Sequence, residues 1–525
     1  MRRFHSYGPV DPEEHFCVPR RALIEQCVEQ LLGAPDKGGH YFTIWAPRQT
    51  GKTWLMRRAA AELRARHGDR FLVGTMSMQG VVLKEGNADE AFLRYAPSLV
   101  RRTFKRTIPQ PPDWQGWLEL FSSAGNVFDR PLLLFIDEFD KLPRAVIDRL
   151  IELFRDMYLD RENFLLHGLA LVGVRAVLGV DSDRGSPFNV QRSLHVPNLN
   201  HDEVADMYRQ YQQESGQVID PAVVERVHEV TRGQPGLVSW FGELLTEKYN
   251  LGRDRTIALR EWSATYGAAS RVEPNNTVLN LLKKAQGSYR RQVVELFARA
   301  DVPFSIDAPW CSYLYLNGII DYEDSIAPSG ETLQVCRFSS PFIQHRLYNA
   351  LSSDLVRGTG VPTLDPLDEL TDVFAPAGLN VPALLARYRD YLGRLRQRGI
   401  DPWQGQPRRE DLHLTEAVGH FHLYAWLWDV VGRECIISPE FPTGNGKVDL
   451  ILTYEGRPAL IEVKSLEKRS RLGAYRRQTA AYAQNKGLAA AALALFVPTQ
   501  DEAVLRELSG EEDVGGVRVT TVAIG

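Results

Sequence analysis

Cysteine is scarce: the 525 residues include five (Cys17, Cys27, Cys311, Cys336, Cys435), scattered, odd in number and without a CxxC pair. This pattern excludes a disulfide framework and a structural zinc site, and it suits a reducing compartment. Long apolar runs are missing too. The longest, Leu488 to Val497, is too short for a bilayer, which needs about twenty residues. The opening MRRFHSYGPVDPEEHF carries no apolar core of the kind a signal peptide has. A cytoplasmic location and no membrane partner are therefore expected. Neither charge sign dominates: 62 basic residues face 66 acidic ones, for a net charge of −4. Any nucleic-acid binding must then come from local basic patches. There is no internal repeat and no low-complexity tract. What remains is ordinary globular material, 44% hydrophobic and 24% charged. The length allows three or four domains of about 100–200 residues each.

The pattern predicts an α/β multidomain chain. From Tyr41 to about Pro197 short apolar runs alternate with amphipathic stretches. YFTIW (41–45), FLVGTM (71–76), LLLFI (132–136), LALVGV (169–174) and SLHV (193–196) read as strands. Several are apolar throughout, as strands of a parallel sheet covered on both faces are. A core over 1–200 is expected, then a helical segment over 201–270 that opens with Asn200 as N-cap. Residues 271–356 order as helices followed by the short strands IIDYED and LQVCRF, the order of a winged-helix module. The Gly- and Pro-rich stretch 357–381 reads as a linker, and an arginine-rich helix (382–399) follows it. The last unit, 410–525, reads helix–strand–strand–strand–helix–strand.

Two sets of residues carry chemistry. The strand YFTIW runs into Ala46-Pro47-Arg48-Gln49-Thr50-Gly51-Lys52-Thr53 and then a helix. A triphosphate needs closely approaching N–H groups, a cation and a hydroxyl for magnesium. Gly51 lets the backbone approach, Lys52 reaches the β- and γ-phosphates, and Thr53 ligates Mg²⁺. Position 46, usually glycine in this pattern, is Ala46. The strand LLLFI ends in Asp137-Glu138. The first carboxylate would stand beside the magnesium shell and the second beside the attacking water. ATP with Mg²⁺ is the expected cofactor.

These runs, with GPVDPEEHFCVPR, SPFNV, TRGQPGLVSWF and RFSSPFIQHRL, resemble the prokaryotic AAA-like ATPases related to the signalling STAND class, over about residues 4–350. The resemblance implies a P-loop ATPase core with a lid and a winged helix. It implies that Gly233-Gln234-Pro235 sits on the lid near the nucleotide. It also implies a polar sensor at Arg175, and Arg20 and Arg21 near the base or phosphates.

The second set lies near the C-terminus. Glu416 is early in a helix, Asp449 is in the strand-like GKVDLILTY, and Glu462 and Lys464 are in IEVK. Strand side chains alternate, so Glu462 and Lys464 share a face while Val463 turns into the core. A hairpin turn at Glu455-Gly456-Arg457-Pro458 would bring Asp449 beside Glu462. Two carboxylates and the main-chain carbonyl of Val463 make a hard-oxygen site for Mg²⁺ or Mn²⁺. Lys464 would lower the pKa of the attacking water or steady charge on the phosphate. Over about 410–500 this resembles the PD-(D/E)xK nuclease superfamily, with Val448 in place of its proline. The resemblance implies a restriction-endonuclease-like fold. Gln478 and Tyr482 match the QxxxY element of its RecB-like branch and share a helix face.

Basic clusters flank this site: Arg387, Arg389, Arg394, Arg396 and Arg398 before it, Lys468, Arg469, Arg471, Arg476 and Arg477 after it. Such runs are usually solvated helix faces, and contact with a nucleic-acid backbone is their second reading. His413, His420 and His422 lack zinc-site spacing and read as ordinary helix residues. The expected protein is an ATP-regulated nuclease for DNA repair, recombination or defence against foreign nucleic acid, with DNA favoured over RNA. A protein trigger and a homo-oligomer are left open as partners. The alternative is a STAND-type switch whose C-terminal domain binds nucleic acid or a protein partner without cutting.

Overall fold

The structure is a computed structural model. It describes all residues except 84–85, 174–191, 300, 327–330, 357–360, 366–368, 376–377, 404–415 and 441–448. The chain forms two compact units, residues 1–273 with 312–318, and residues 274–311 with 319–525.

The first unit is built on five strands: β1 (Tyr41–Trp45), β2 (Leu72–Ser77), β3 (Leu132–Asp137), β4 (Leu166–Gly173) and β5 (Arg192–His195). All pair in parallel, in the order β2-β3-β4-β1-β5. Every residue of β3 is buried, which explains its unbroken apolar run. In register, Trp45 lies beside Gly173 and Asp137 beside Val172. The loops after β1 and β3 thus leave the sheet at the same carboxyl edge, where open α/β sheets take their ligands.

The helical segment follows as His201–Ser215, Pro221–Thr231, Pro235–Glu243, a π turn (Leu244–Lys248) and Leu259–Arg271. Asn200 caps its first helix by accepting from the Glu203 N–H, and Glu203 returns a bond to the Asn200 N–H. The first residues of the chain pack here, which their sequence did not signal. Phe4 is buried against Phe16, Tyr208 and Tyr211, with ring centroids 4.9–5.9 Å apart.

In the second unit, helices Asn276–Ala285 and Arg290–Ala298 precede an antiparallel hairpin, β6 (Ile320–Ile326) and β7 (Thr332–Phe338), and helix Pro341–Val356. After the two-residue strands β8 (Phe374–Ala375) and β9 (Gly378–Leu379) comes helix Val381–Gln397. Helix Glu416–Val431 then leads into a six-stranded mixed sheet. Its strands are β10 (Ile436–Glu440), β11 (Asp449–Tyr454), β12 (Arg457–Ser465), β13 (Ala490–Phe496), β14 (Gly510–Val514) and β15 (Val517–Ile524). Their order is β10-β11-β12-β13-β15-β14, parallel from β12 through β13 to β15 and antiparallel elsewhere.

Three expectations are revised. The stretch 357–381 does not behave as a free tether in its described part. Val361 and Val373 are buried, and the Thr363 carbonyl accepts from Trp426 Nε1 at 3.0 Å and from Arg394 at 3.1 Å. Phe297 and Tyr348 pack against Phe421, so the helices before this stretch share a core with the helix after it. The hairpin turn between β11 and β12 is two residues, Glu455 and Gly456, both at positive φ (48° and 78°). That is the twist-matched turn of tight hairpins, so Arg457 and Pro458 open β12 instead. Pro458 is tolerated because β13 joins β12 only from Ile461 onward. The chain also continues past the expected last strand with helix Glu502–Leu508 and the β14–β15 hairpin.

Candidate functional site

At the carboxyl edge of the first sheet, Gly51 caps helix Lys52–His67 with φ 95°, a conformation that favours glycine. A Cβ there would meet nothing within 4 Å, so it is the backbone conformation, not crowding, that calls for glycine. Lys52 Nζ donates to the carbonyls of Ala46 (2.7 Å) and Pro47 (2.6 Å), and the Thr50 hydroxyl donates to Pro47 (2.9 Å). Thr53 Oγ1 donates to Asp137 Oδ2 at 3.0 Å, across 84 residues of chain. Burial raises the Asp137 carboxyl, while the Thr53 hydroxyl and the charges of Lys52 and Arg57 oppose the shift. The hydroxyl and carboxylate form a pair of hard oxygens, a donor set that fits Mg²⁺. Glu138 follows at φ 57°, caps the short turn Phe139–Lys141, and is ion-paired to Lys141.

One acid at this edge was not singled out by sequence reasoning. Asp140 is the strongest of the charges acting on Lys52. Gly173 makes room for it, since a Cβ there would lie 2.8 Å from Asp140 Oδ1. The signal was present in DEFD, two residues beyond the expected pair. Burial pushes the Lys52 ammonium down to about 8 against the pull of Asp140 and Asp137. Phosphates would raise it again, so nucleotide binding should take up a proton above that pH. Apparent affinity should fall as pH rises beyond about 8, by up to about one log unit per pH unit. Calorimetry at about pH 7 and about pH 9 in buffers of different ionisation enthalpy should show uptake only at the higher value. Equal uptake at both would contradict the shift.

Beside the loop lies a small apolar pocket of about 70 Å³ whose walls include Phe16, Val18, Trp54, Leu199, Met207 and Pro235. Gln234 and Pro235 reach the loop: Gln234 Nε2 donates to the Arg48 carbonyl at 3.0 Å. Arg20 lines this pocket together with Thr50 and Gly51. Its guanidinium donates to the carbonyls of Pro197 (2.9 Å) and Asn198 (3.3 Å) and pairs with Glu203 (3.3 Å), so it braces the start of the helical segment. Arg21 is exposed at the start of helix Arg21–Leu32. Arg175 lies outside the described residues.

In the second unit the register pairs Asp449 directly with Glu462. The side chain of Asp449 lies outside the described part of the chain. Glu462 (1% exposed) and Lys464 (4% exposed) share a face, and Val463 is buried in the core. Lys464 Nζ stands 2.8 Å from Glu462 Oε1 and 3.0 Å from Glu416 Oε1, so an ammonium gathers carboxylates from a helix and a strand. Burial alone would lower the Lys464 ammonium, but the two carboxylates outweigh it and hold it above the usual lysine range. Among the described residues no group of three His, Cys, Asp or Glu side chains is gathered for a metal. Glu416 and Glu462 nevertheless supply hard oxygens beside one cation, a donor chemistry that suits Mg²⁺ or Mn²⁺.

Gln478 and Tyr482 are half-buried on helix Leu472–Asn485. Tyr482 packs against the core of this sheet, with the Lys486 ammonium 5.7 Å from its ring centre. His420 and His422 are buried and bond through Nδ1 to the hydroxyls of Tyr348 and Tyr388. Burial lowers His422 to about 3, so it stays neutral. His413 lies outside the described residues. Several flanking arginines are already engaged within the unit: Arg387 with Asp372, Arg389 with Glu502, Arg469 with Glu507 and Arg476 with Glu512.

No protein-family model matches the sequence, and no curated protein matches it. Among solved structures, the chain is similar to the Walker-type ATPase of Pyrococcus abyssi at 14% identity and a TM-score of 0.44, covering 66% of this chain and 99% of that one. It is similar to the Aeropyrum pernix ORC1 protein in complex with DNA at 14% identity and a TM-score of 0.33, covering 65% and 94%. It is similar to the Thermotoga maritima RuvB Holliday junction branch migration motor at 18% identity and a TM-score of 0.33, covering 60% and 92%.

Proposed function

We propose that the first unit binds and hydrolyses ATP and that the second carries a metal-dependent nuclease site whose cutting is governed by the nucleotide. The observation that carries the first half is the contact between Thr53 and Asp137 at the sheet edge, with Lys52 hydrogen-bonded at 2.7 and 2.6 Å to two carbonyls that phosphates can replace. Mg²⁺, held by Thr53 and Asp137, would neutralise phosphate charge. Lys52 would move from the Ala46 and Pro47 carbonyls onto the β- and γ-phosphates. Glu138, once released from Lys141, would take the proton of the attacking water. The adjoining apolar pocket suits a nucleobase.

The second half rests on the Glu416–Lys464–Glu462 arrangement and the Asp449–Glu462 register. A divalent ion there would supply positive charge to a phosphodiester. Glu416, Glu462 and Asp449 would hold it, and Lys464 would steady charge developing on the phosphate. The order of three helices (Asn276–Ala285, Arg290–Ala298, Pro309–Leu316) and a hairpin supports a winged helix, and the helix followed by three antiparallel strands supports a restriction-endonuclease-like domain. The broader role we infer is repair, recombination or defence against foreign nucleic acid, with DNA as the favoured substrate.

A second reading has an observation of its own. The arginines paired to Asp372, Glu502, Glu507 and Glu512 are not free for phosphates, which favours a switch that binds a partner without cutting. One experiment separates the two. Purified wild type, Lys52→Ala and Glu138→Gln are each incubated with plasmid, linear DNA and RNA in Mn²⁺, with ATP, ADP or no nucleotide. Cleavage that EDTA stops and that differs between nucleotide conditions is the expected result. Equal cleavage under all of them would leave two independent enzymes on one chain, and no cleavage at all would favour the switch.

A further inference from the structure

The phosphate loop is tied to the helical segment by main-chain acceptors. Two of its carbonyls are taken up by that segment. That of Arg48 accepts from Gln234 Nε2 at 3.0 Å, and that of Gln49 accepts from the Gly236 N–H at 3.0 Å. Gln49 sits at φ 58°, a conformation that a residue other than glycine keeps only when its surroundings dictate it. Its side chain is fixed as well, since Nε2 donates to the Ser6 carbonyl at 3.1 Å. Ser6 in turn donates to Glu243, at the end of the helix whose first turn holds Gly236.

The holding turn is itself anchored. Gln234 Oε1 caps helix Pro235–Glu243 by accepting from the Leu237 N–H at 2.6 Å. Gly233 accepts from the Leu199 N–H at 2.8 Å, and a Cβ on Gly233 would lie 1.8 Å from the Leu199 carbonyl. The fit at Gly236 is equally close: a Cβ there would lie 2.5 Å from Gln49 Oε1 and 2.7 Å from Gln49 Cβ.

We propose that Gln234 and Gly236 are positioning residues that shape the phosphate loop. They tie the carbonyls of Arg48 and Gln49 outward, so that the amides of Gln49 through Thr53 are presented to a phosphate. The inference rests on the reading of this loop as an ATP site. It adds that loop shape and docking of the helical segment form one equilibrium: nucleotide binding tightens the grip, and loss of the grip loosens the nucleotide. Gln234 has a single side chain with two jobs, capping its own helix and fixing the loop. Gly236 has no side chain because Gln49 occupies that space.

The test uses the full chain and Mg·ATP, with binding read by calorimetry. Gly236→Ala and Gln234→Leu should each weaken ATP binding by about tenfold, since each disturbs a bond that fixes the shape of the loop. Gly236→Ala combined with Gln49→Gly should bind at least about fivefold more tightly than Gly236→Ala alone, because the clashing atoms are gone. Hydrogen exchange of the 48–53 amides should quicken in Gln234→Leu, a change that a merely stabilising role elsewhere in the fold would not produce. Gln234→Asn, which keeps the amide but shortens it, serves where the leucine variant fails to fold. It should also weaken binding. Folded variants with wild-type ATP affinity and unchanged loop exchange would overturn the proposal. If the wild type and Lys52→Ala alike bind no ATP, the ATP reading itself fails and this inference falls with it.

Discussion

Lys52→Ala should lower ATP affinity by at least about a hundredfold, because each charge-assisted bond to a phosphate is worth roughly 1.5–3 kcal/mol and more than one is lost. The protein should remain folded. Burial depresses the Lys52 ammonium to about 8, so keeping it charged costs folding free energy below that pH. The sign follows from linkage: a lysine whose folded pKa is lowered destabilises the fold while protonated, and the cost fades as pH rises through about 8. Removing it strands the Ala46 and Pro47 carbonyls but also removes that cost, so melting should shift by no more than a few degrees. Glu138→Gln should separate binding from hydrolysis. It should bind ATP as the wild type does and lose turnover by about a hundredfold or more, the usual contribution of a general base. Calorimetry and phosphate release measured on the same preparations decide both. Wild-type turnover in Glu138→Gln would remove its assigned role.

How far the sequence could be read depended on whether a feature was local. The GKT loop, the buried strand ending in Asp137-Glu138 and the Asn200 cap each depend on neighbours within a few residues, and each is where it was expected. Strand alternation and a single hairpin were enough to foresee Asp449 opposite Glu462, although the turn proved two residues shorter. Features built on distant partners were not legible. Arg20 bonds a carbonyl 177 residues away, and nothing in CVPR announces it. The grip of Gly236 on Gln49 needs a glycine whose reason is a side chain on another element. The Gly- and Pro-rich stretch near 360 looked like a tether because composition reports turn chemistry. It does not report that Val361 and Val373 find a core. Strand order in the first sheet was equally hidden, since parallel neighbours are chosen by crossovers and not by the strands' own residues.

The largest effect expected in the second unit is the loss of nucleic-acid cleavage in Glu462→Gln and Asp449→Ala, by about a thousandfold or more if these carboxylates hold the catalytic ion. Loss of activity alone would not distinguish a metal site from a structural ion cluster, so stability provides the second arm. Lys464 is buried and shared between Glu416 and Glu462. Truncating Glu462 to alanine leaves that ammonium short of a partner, and breaking a buried pair in this way costs about 3–5 kcal/mol. Glu462→Gln keeps the shape and a polar contact and should cost less. The informative variant is Lys464→Met. It removes the cation shared by the two carboxylates and leaves them with like charge, a gap that a divalent ion can fill. Melting of Lys464→Met should therefore rise on adding Mn²⁺ by several degrees more than the wild type does, by mass action on the folded state. Cleavage should stay abolished, because Lys464 is also the group assigned to the developing phosphate charge. An Mn²⁺ shift no larger than that of the wild type would identify Glu416, Lys464 and Glu462 as an ion cluster that holds helix Glu416–Val431 to β12, and the nuclease reading would lose its site.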